Sequence, residues 1–289
     1  MKPRIGLLTG DPSGIGPEVA AKLLAESATH EHAEIVSLGA APPACPPAQV
    51  SRIAGEYTIE TLRAGIAALQ ARTIDALVYA PLNKQAMKLA GLGHDDELHF
   101  FAALLGHTGP VSEINVCGRL WTSRVTSHVP LRAVAGLITA DRIGEAARLL
   151  HRTIVQSGIA APHLAVAGVN PHAGEGGLLG TEEIDIIAPA IAQLRTEGID
   201  AVGPLPADTL FVAARRGDFH GVVTMYHDQG QIAMKLMGFD RGVTVAGGLP
   251  EIITTPAHGT AFDITGKGIA DPGAMREAFR IACEMAESR

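Results

Sequence analysis

The chain has 289 residues, of which 47% are hydrophobic, 18% charged and only 4% aromatic, and its formal net charge is −7. That balance gives no general attraction to a phosphate backbone or an anionic lipid surface, and so few aromatics leave little on which single-stranded nucleic acid could stack. The length suffices for one large α/β unit or for two lobes sharing a cleft.

Short Val/Ile/Leu runs alternate with longer amphipathic stretches along most of the chain, the pattern of βαβ units on a parallel or mixed sheet. The first predicted strand, Ile5 to Leu8, leads through Gly10-Asp11-Pro12-Ser13-Gly14-Ile15-Gly16-Pro17-Glu18 into a predicted helix from Pro17 to Ala28. Pro17 suits a first helical position. A strand from Glu34 to Leu38 precedes Ala40 to Pro47, a Pro/Ala-rich stretch that reads as a stiff connector. Then follow a helix from Thr58 to Ala71 and strands from Ala76 to Tyr79 and from Glu113 to Val116. Beyond a helix from Ala140 to Gly158 and a strand from Leu164 to Val169, Thr181 with Glu182, Glu183 and Asp185 is expected to cap and charge a helix that stops at Gly198. Strands from Val222 to Met225 and Gly242 to Val245 and a helix from Pro272 to Glu287 complete the pattern.

No apolar run reaches the roughly 20 residues needed to cross a bilayer. Met1-Lys2-Pro3-Arg4 runs straight into a short strand without a signal-peptide core, so the expected location is the cytoplasm. Cys45, Cys117 and Cys283 are odd in number and widely spaced, and read as ordinary reduced thiols.

Three segments carry a histidine just after a strand-like run, the usual place for chemistry in open α/β sheets. They are Thr126-Ser127-His128-Val129-Pro130-Leu131-Arg132, Asn170-Pro171-His172-Ala173-Gly174-Glu175-Gly176-Gly177 and Tyr226-His227-Asp228-Gln229-Gly230, each read as a loop. Three converging imidazoles would suit zinc, cobalt, nickel or manganese and leave positions open for substrate oxygens. The plain alternative for each is a hydrogen-bonded loop histidine, and the other nine, His30, His32, His151 and His220 among them, read as solvated. Asp228 could orient a ligand ring. Asp208 could do the same, bind metal, or simply cap a helix. Lys235, eight residues after His227, could meet a substrate anion or serve as an acid, or be a plain surface lysine.

From His258 to Pro272 the chain is turn-rich, and Gly259, Thr260, Asp263, Lys267 and Asp271 could bring backbone N–H groups close to a pyrophosphate or ribose. No Gly-x-Gly-x-x-Gly follows a strand, and Gly10 to Glu18 has the wrong spacing for that fingerprint. By itself it is a weak signal, equally a strand-to-helix turn.

In these motifs the chain resembles the 4-hydroxythreonine-4-phosphate dehydrogenase family. Gly10 to Glu18, Asn170 to Gly177, Gly203 to Leu210, Tyr226 to Gly230 and Phe239 to Gly242 recur in order over nearly the whole length. The His258 to Pro272 loop is similar to the adenosine-binding signature of isocitrate and isopropylmalate dehydrogenases. The resemblance implies a two-lobed α/β/α isocitrate/isopropylmalate dehydrogenase-like fold with the active-site cleft between lobes. One lobe would be 1–112 plus 245–289, carrying the NAD loop, and the other 113–244, carrying metal site and dimer contacts. It further implies NAD along Gly259 to Asp271, a divalent metal (zinc foremost, with magnesium, manganese, cobalt and nickel as alternatives) on His128, His172 and His227, and substrate on Lys235. A homodimer would draw metal ligands from both subunits. The implied reaction is oxidation and decarboxylation of a small β-hydroxy acid, as in pyridoxine biosynthesis.

Departures fall at substrate positions. The family's Gly-His-Thr-Glu segment corresponds either to Gly93-His94-Asp95-Asp96 or to Glu97-Leu98-His99, so His94, Asp95 and Glu97 are the candidates. Thr244 stands for a family asparagine and Ile253 for a family arginine, which removes a fork able to grip phosphate or carboxylate bidentately. The connector is also short. These departures point to a paralogue acting on phosphorylated threonate or erythronate, or on a cis-dihydrodiol carboxylate of the terephthalate type. Two other classes compete: a non-redox phosphate acyltransferase-like enzyme, and a binding protein without catalysis.

Overall fold

A computed structural model describes residues 2–289, the side chain of Phe239 excepted. The described residues form ten strands: β1 (Arg4–Leu8), β2 (Glu34–Ser37), β3 (Ala76–Tyr79), β4 (Ser112–Cys117), β5 (Leu120–Arg124), β6 (Leu164–Ala167), β7 (Ala201–Leu205), β8 (Gly221–Thr224), β9 (Val243–Gly247) and β10 (Ile252–Pro256). Contacts divide the chain into two units, one of residues up to Val111 together with Asp240–Arg289, the other Ser112–Phe239.

In the first unit the strand order is β2-β1-β3-β10-β9, parallel except for the antiparallel pair β10 and β9. The helix Arg52–Gln70 covers it with Leu62, Ile66 and Leu69, all buried against Leu77 of β3, Tyr79, Phe100, Phe101 and Ile253. Each large apolar side chain buried this way contributes about 1.5–3 kcal/mol. The helix begins six residues before the predicted Thr58, because the hydroxyl of Ser51 accepts the N–H of Ala54 at 3.2 Å and caps it. Helix Gly16–Leu24 starts one residue before the predicted Pro17 and ends sooner, and a separate short helix, Ser27–His32, follows. Residues 40 to 47 have no regular structure, as their composition predicts.

In the second unit the order is β4-β5-β8-β6-β7: β4 and β5 pair antiparallel, and β5, β8, β6 and β7 run parallel. Helix Ala140–Gln156 lies where periodicity puts it, capped by Thr139, whose hydroxyl accepts from Arg142 N at 3.3 Å. Thr181 and its acidic neighbours do not make a simple helix start. A π-type turn, Glu183–Ile187, precedes the helix Ala188–Thr196, and Glu183 points inward with 2% of its surface exposed.

Strands β5, β7 and β10 escape prediction, as do the helices Lys84–Leu89, Glu97–Leu104, Leu131–Leu137, Ala207–Arg216 and His227–Gly238. β7 contains Gly203-Pro204, a pair that reads as a turn and is tolerated because β7 lies at the end of the strand order. No helix among the described residues is long and apolar enough to cross a membrane. Cys45, Cys117 and Cys283 form no disulfide, and burial pushes the Cys283 thiol up to about 12, which keeps it protonated.

Candidate functional site

The second unit brings two of the predicted ligands together by strand register. β5 and β8 are parallel neighbours with Arg124 opposite Thr224, so residues a few positions past each strand end lie side by side. The pairing continues past the strands: Val125 N–H donates to Thr224 O at 2.8 Å, and the Thr126 N–H and hydroxyl both donate to Met225 O, at 3.1 and 2.8 Å. His128 and His227 emerge next, with ring centroids 5.4 Å apart and planes inclined by 42°. Both line a cavity of about 310 Å³ with Ser127, Val129, Tyr226 and Asp228.

His227 and Asp228 do not sit in a loop. They open the helix His227–Gly238, and Asp228 lies 2.7 Å from Nδ1 of His227, which leaves Nε2 for another partner. Beneath His128, the buried guanidinium of Arg124 donates to Ser127 Oγ at 2.9 Å, Asn115 at 2.8 Å and Glu113 at 2.6 Å. It thereby ties β4, β5 and the His128 segment together. His128 has φ +42°, an uncommon value for a non-glycine residue and one seen preferentially where surroundings over-determine the backbone.

His172 follows β6, the other parallel neighbour of β8, but is exposed and does not line the His128/His227 cavity. Among the described residues, no three His, Cys, Asp or Glu side chains of the single chain gather as a metal centre. Within the single chain, His128 and His227 share a cavity and His172 lies outside it. His172 lies in a left-handed coil in which six successive residues, His172 to Gly177, have positive φ. Gln229 bridges the two neighbouring segments: its carbonyl accepts Met225 N–H at 2.7 Å and its amide donates to Gly168 O at 2.8 Å. The pair fits a cation that accepts nitrogen ligands, since two imidazoles line one cavity and Asp228 can hold one of them in its ligating tautomer.

Lys235 is exposed on the His227 helix, two turns on. Asp208 is exposed in the first turn of Ala207–Arg216 and does not cap it; the cap residue there is Pro206.

In the first unit the predicted cofactor loop joins β10 to the helix Gly273–Glu287 and is anchored from below by the segment Gly10 to Lys22. Ile15 N–H donates to Thr260 O at 3.0 Å, and a Cβ on Gly14 would lie 2.7 Å from that of Thr260, so only glycine admits the loop so close. Glu18 accepts Ala270 N–H at 2.8 Å, and Lys22 donates to the carbonyls of Gly268 and Ala270 at 3.0 and 2.7 Å. Gly259, Asp263, Lys267 and Asp271 are exposed above these anchors, Thr260 is half-buried, and the Asp271 carboxylate accepts Gly273 N–H at 2.8 Å. Backbone at Ala261, Gly266 and Gly268 is left-handed. A polar, exposed rim on a fixed backbone fits a dinucleotide.

Sequence reading missed Glu18 and Lys22 as anchors; their only local signal is the i,i+4 spacing of opposite charges. Of the substrate candidates, His94 is half-buried and tilted on Phe100 at 5.6 Å, Asp95 is exposed, and Glu97 pairs with Lys84 at 3.1 Å. Neighbouring Asp96 caps the helix Glu97–Leu104, accepting His99 N–H at 2.9 Å. Thr244 is half-buried on β9 opposite Thr255. Ile253 is different: wholly buried in the apolar core, opposite Leu77, it has no surface to offer a ligand.

The family model of the pyridoxal phosphate biosynthetic protein PdxA matches residues 14–282. The chain belongs to the PdxA family. A Pseudomonas aeruginosa relative provisionally named 4-hydroxythreonine-4-phosphate dehydrogenase 2 is 47% identical over 98% of this chain and 97% of its own. The D-threonate 4-phosphate dehydrogenase of Cupriavidus necator is 37% identical over 99% and 98%. Among solved structures, the 4-hydroxythreonine-4-phosphate dehydrogenase of Klebsiella pneumoniae superposes with a TM-score of 0.85 at 33% identity, covering 99% of this chain and 98% of that one. The fold is that of the PdxA family, and a β-decarboxylating dehydrogenase of Thermococcus kodakarensis shares it with a TM-score of 0.59 at 16% identity. PdxA membership makes the chain a dehydrogenase-type oxidoreductase and sets aside the acyltransferase-like reading.

Proposed function

We propose that the chain oxidises the hydroxyl-bearing carbon of a small phosphorylated β-hydroxy acid, with NAD as acceptor, and releases carbon dioxide. The observation that carries this reading is the close pair His128 and His227 at one cavity, with Asp228 on the ring of His227. When bound, a divalent cation would supply Lewis acidity for oxidation and decarboxylation, and NAD would supply the hydride acceptor.

The protein's own groups do the positioning. Asp228 keeps the proton of His227 on Nδ1, so that Nε2 is the donor toward the cation. His128 supplies a second nitrogen, and His172 of a second copy the third. Lys235 meets the substrate anion and holds a proton for the enolate, while Asp208, His94, Asp95, Glu97 and Thr244 are assigned to the approach of the substrate. The first unit holds NAD along Gly259 to Asp271, with Asp263 and Lys267 toward ribose and pyrophosphate.

Exposed apolar residues accompany each histidine segment and support a homodimer. Leu131 follows His128 at 70% exposure, Leu178 follows the His172 coil at 84%, and Leu236 lies on the His227 helix at 83%. Three cysteines outside any disulfide accord with work in the cytoplasm.

The relatives' names favour a phosphorylated four-carbon acid of the threonate or hydroxythreonine type. The test is NAD reduction by metal-loaded protein with 4-phosphohydroxythreonine, D-threonate 4-phosphate, D-erythronate 4-phosphate and a cis-dihydrodiol carboxylate. Turnover of a phosphorylated acid that stops on chelation supports the proposal. Turnover of the dihydrodiol alone overturns the substrate class, and reduction with none of them overturns the reaction.

A further inference from the structure

The coil that carries His172 is an improbable piece of backbone. His172, Ala173, Gly174, Glu175 and Gly176 have φ of 52°, 52°, 81°, 46° and 66°, and three of the five are not glycine. Such a run persists only where neighbouring groups hold it. The holding group is Glu183, a residue whose sequence context suggests nothing beyond a charged helix start.

Glu183 is 2% exposed and accepts three hydrogen bonds where the coil begins. Its Oε1 takes the backbone N–H of Val169 at 2.8 Å and of Asn170 at 2.7 Å, and its Oε2 takes the Asn170 side-chain amide at 2.9 Å. The same amide also donates to Glu182 at 2.7 Å. The coil then folds over the carboxylate: a Cβ on Gly174 would lie 2.7 Å from Oε2. Burial raises the affinity of this group for a proton, but the donors from Asn170 and Val169 outweigh it and hold the carboxyl below the ordinary glutamate value. Every atom facing Glu183 in this network is a donor, so a glutamine of the same shape would turn an N–H₂ against an N–H.

We propose that Glu183 is a positioning residue for His172: as a buried carboxylate it fixes the start of the left-handed coil, and so the direction in which the imidazole is presented to a divalent cation. This rests on the metal reading given above. Nothing in it requires Glu183 to touch cation or substrate.

The experiment compares full-length wild type with Glu183→Gln in two arms. In metal-free protein, hydrogen exchange followed by mass spectrometry reads the peptide spanning Val169 and Asn170; the variant is expected to lose protection there and keep it in helix Ala140–Gln156. In the second arm, Zn²⁺ affinity is measured by competition with a chromophoric chelator, and is expected to fall about 10–100-fold, the range for groups that orient a ligand without being one. Asn170→Ala leaves the carboxylate and its two backbone bonds in place. It should give a smaller fall, and serves if Glu183→Gln does not fold. Unchanged Zn²⁺ affinity in both variants would overturn the proposal, whatever the exchange shows. If wild type binds no Zn²⁺ while exchange at Val169 and Asn170 still rises in the variant, the metal reading fails and the hold of Glu183 on the coil stands.

Discussion

His128 and His227, ninety-nine residues apart in sequence, meet with ring centroids 5.4 Å apart because β5 and β8 are parallel neighbours in matched register. Their closeness follows from the strands, and no contact between the two segments need be specified independently. His128→Ala or His227→Ala should therefore abolish a shared property. Each variant is expected to lose more than ~100-fold in divalent-metal affinity, beyond the range for orienting groups. Asp228→Asn, which removes the charge beside Nδ1 but leaves both rings, should lose about 10–100-fold. Metal content after dialysis and titration with Zn²⁺ check the ordering; an Asp228 effect as large as that of either histidine would refute the division of roles.

Ile253 lies in the core, so its replacement should act on stability. Ile253→Ala is expected to cost about 2–5 kcal/mol of unfolding free energy, as a large-to-small change in a packed interior. Urea denaturation measures this, and KM of the folded fraction should stay within about twofold if the residue makes no substrate contact.

The anchors of the first unit predict an effect confined to the dinucleotide. Lys22→Ala removes the donor to the carbonyls of Gly268 and Ala270, and with it the restraint on the loop that carries Lys267 and Asp271. KM for NAD should rise about tenfold, equivalent to roughly 1.4 kcal/mol, while kcat changes little. Steady-state kinetics with NAD varied at saturating substrate tests this. A fall in kcat with unchanged KM would contradict it.

Acid stability should depend on Glu183. Its folded-state value lies below the ordinary 4.5, so its contribution is fully present above 4.5 and is lost as pH falls through the folded value. Wild type is expected to lose stability steeply below pH 4.5, and Glu183→Gln to be less stable at neutral pH with a shallower acid limb. Denaturant midpoints across that range check both the level and the slope.

All three histidine segments are punctuated by Gly or Pro, and two of them are legible in sequence because they follow the short apolar strands Leu164–Ala167 and Gly221–Thr224. The pairing of His128 with His227 is not, since it depends on β5, whose Trp121, Thr122, Ser123 and Arg124 carry no clean alternation, and on a register between strands a hundred residues apart. Tyr226 to Gly230 reads as a loop because of Gly230, yet that glycine opens a helix turn against Thr224, where an added Cβ would meet the threonine side chain at 3.2 Å. Glu183 is hidden for another reason: burial of a charge depends on a coil folding over it, and local composition carries no trace of that. The family motifs, by contrast, are local strings and need no tertiary knowledge.

The matched register of β5 and β8 makes spacing as consequential as identity. Past parallel strand ends, residues advance in step, so deleting one position between Arg124 and His128 would rotate an intact imidazole out of its place as surely as replacing it. The stretch from Ala40 to Pro47, which pairs with no strand, carries no such count, and it is there that chain length is free to drift.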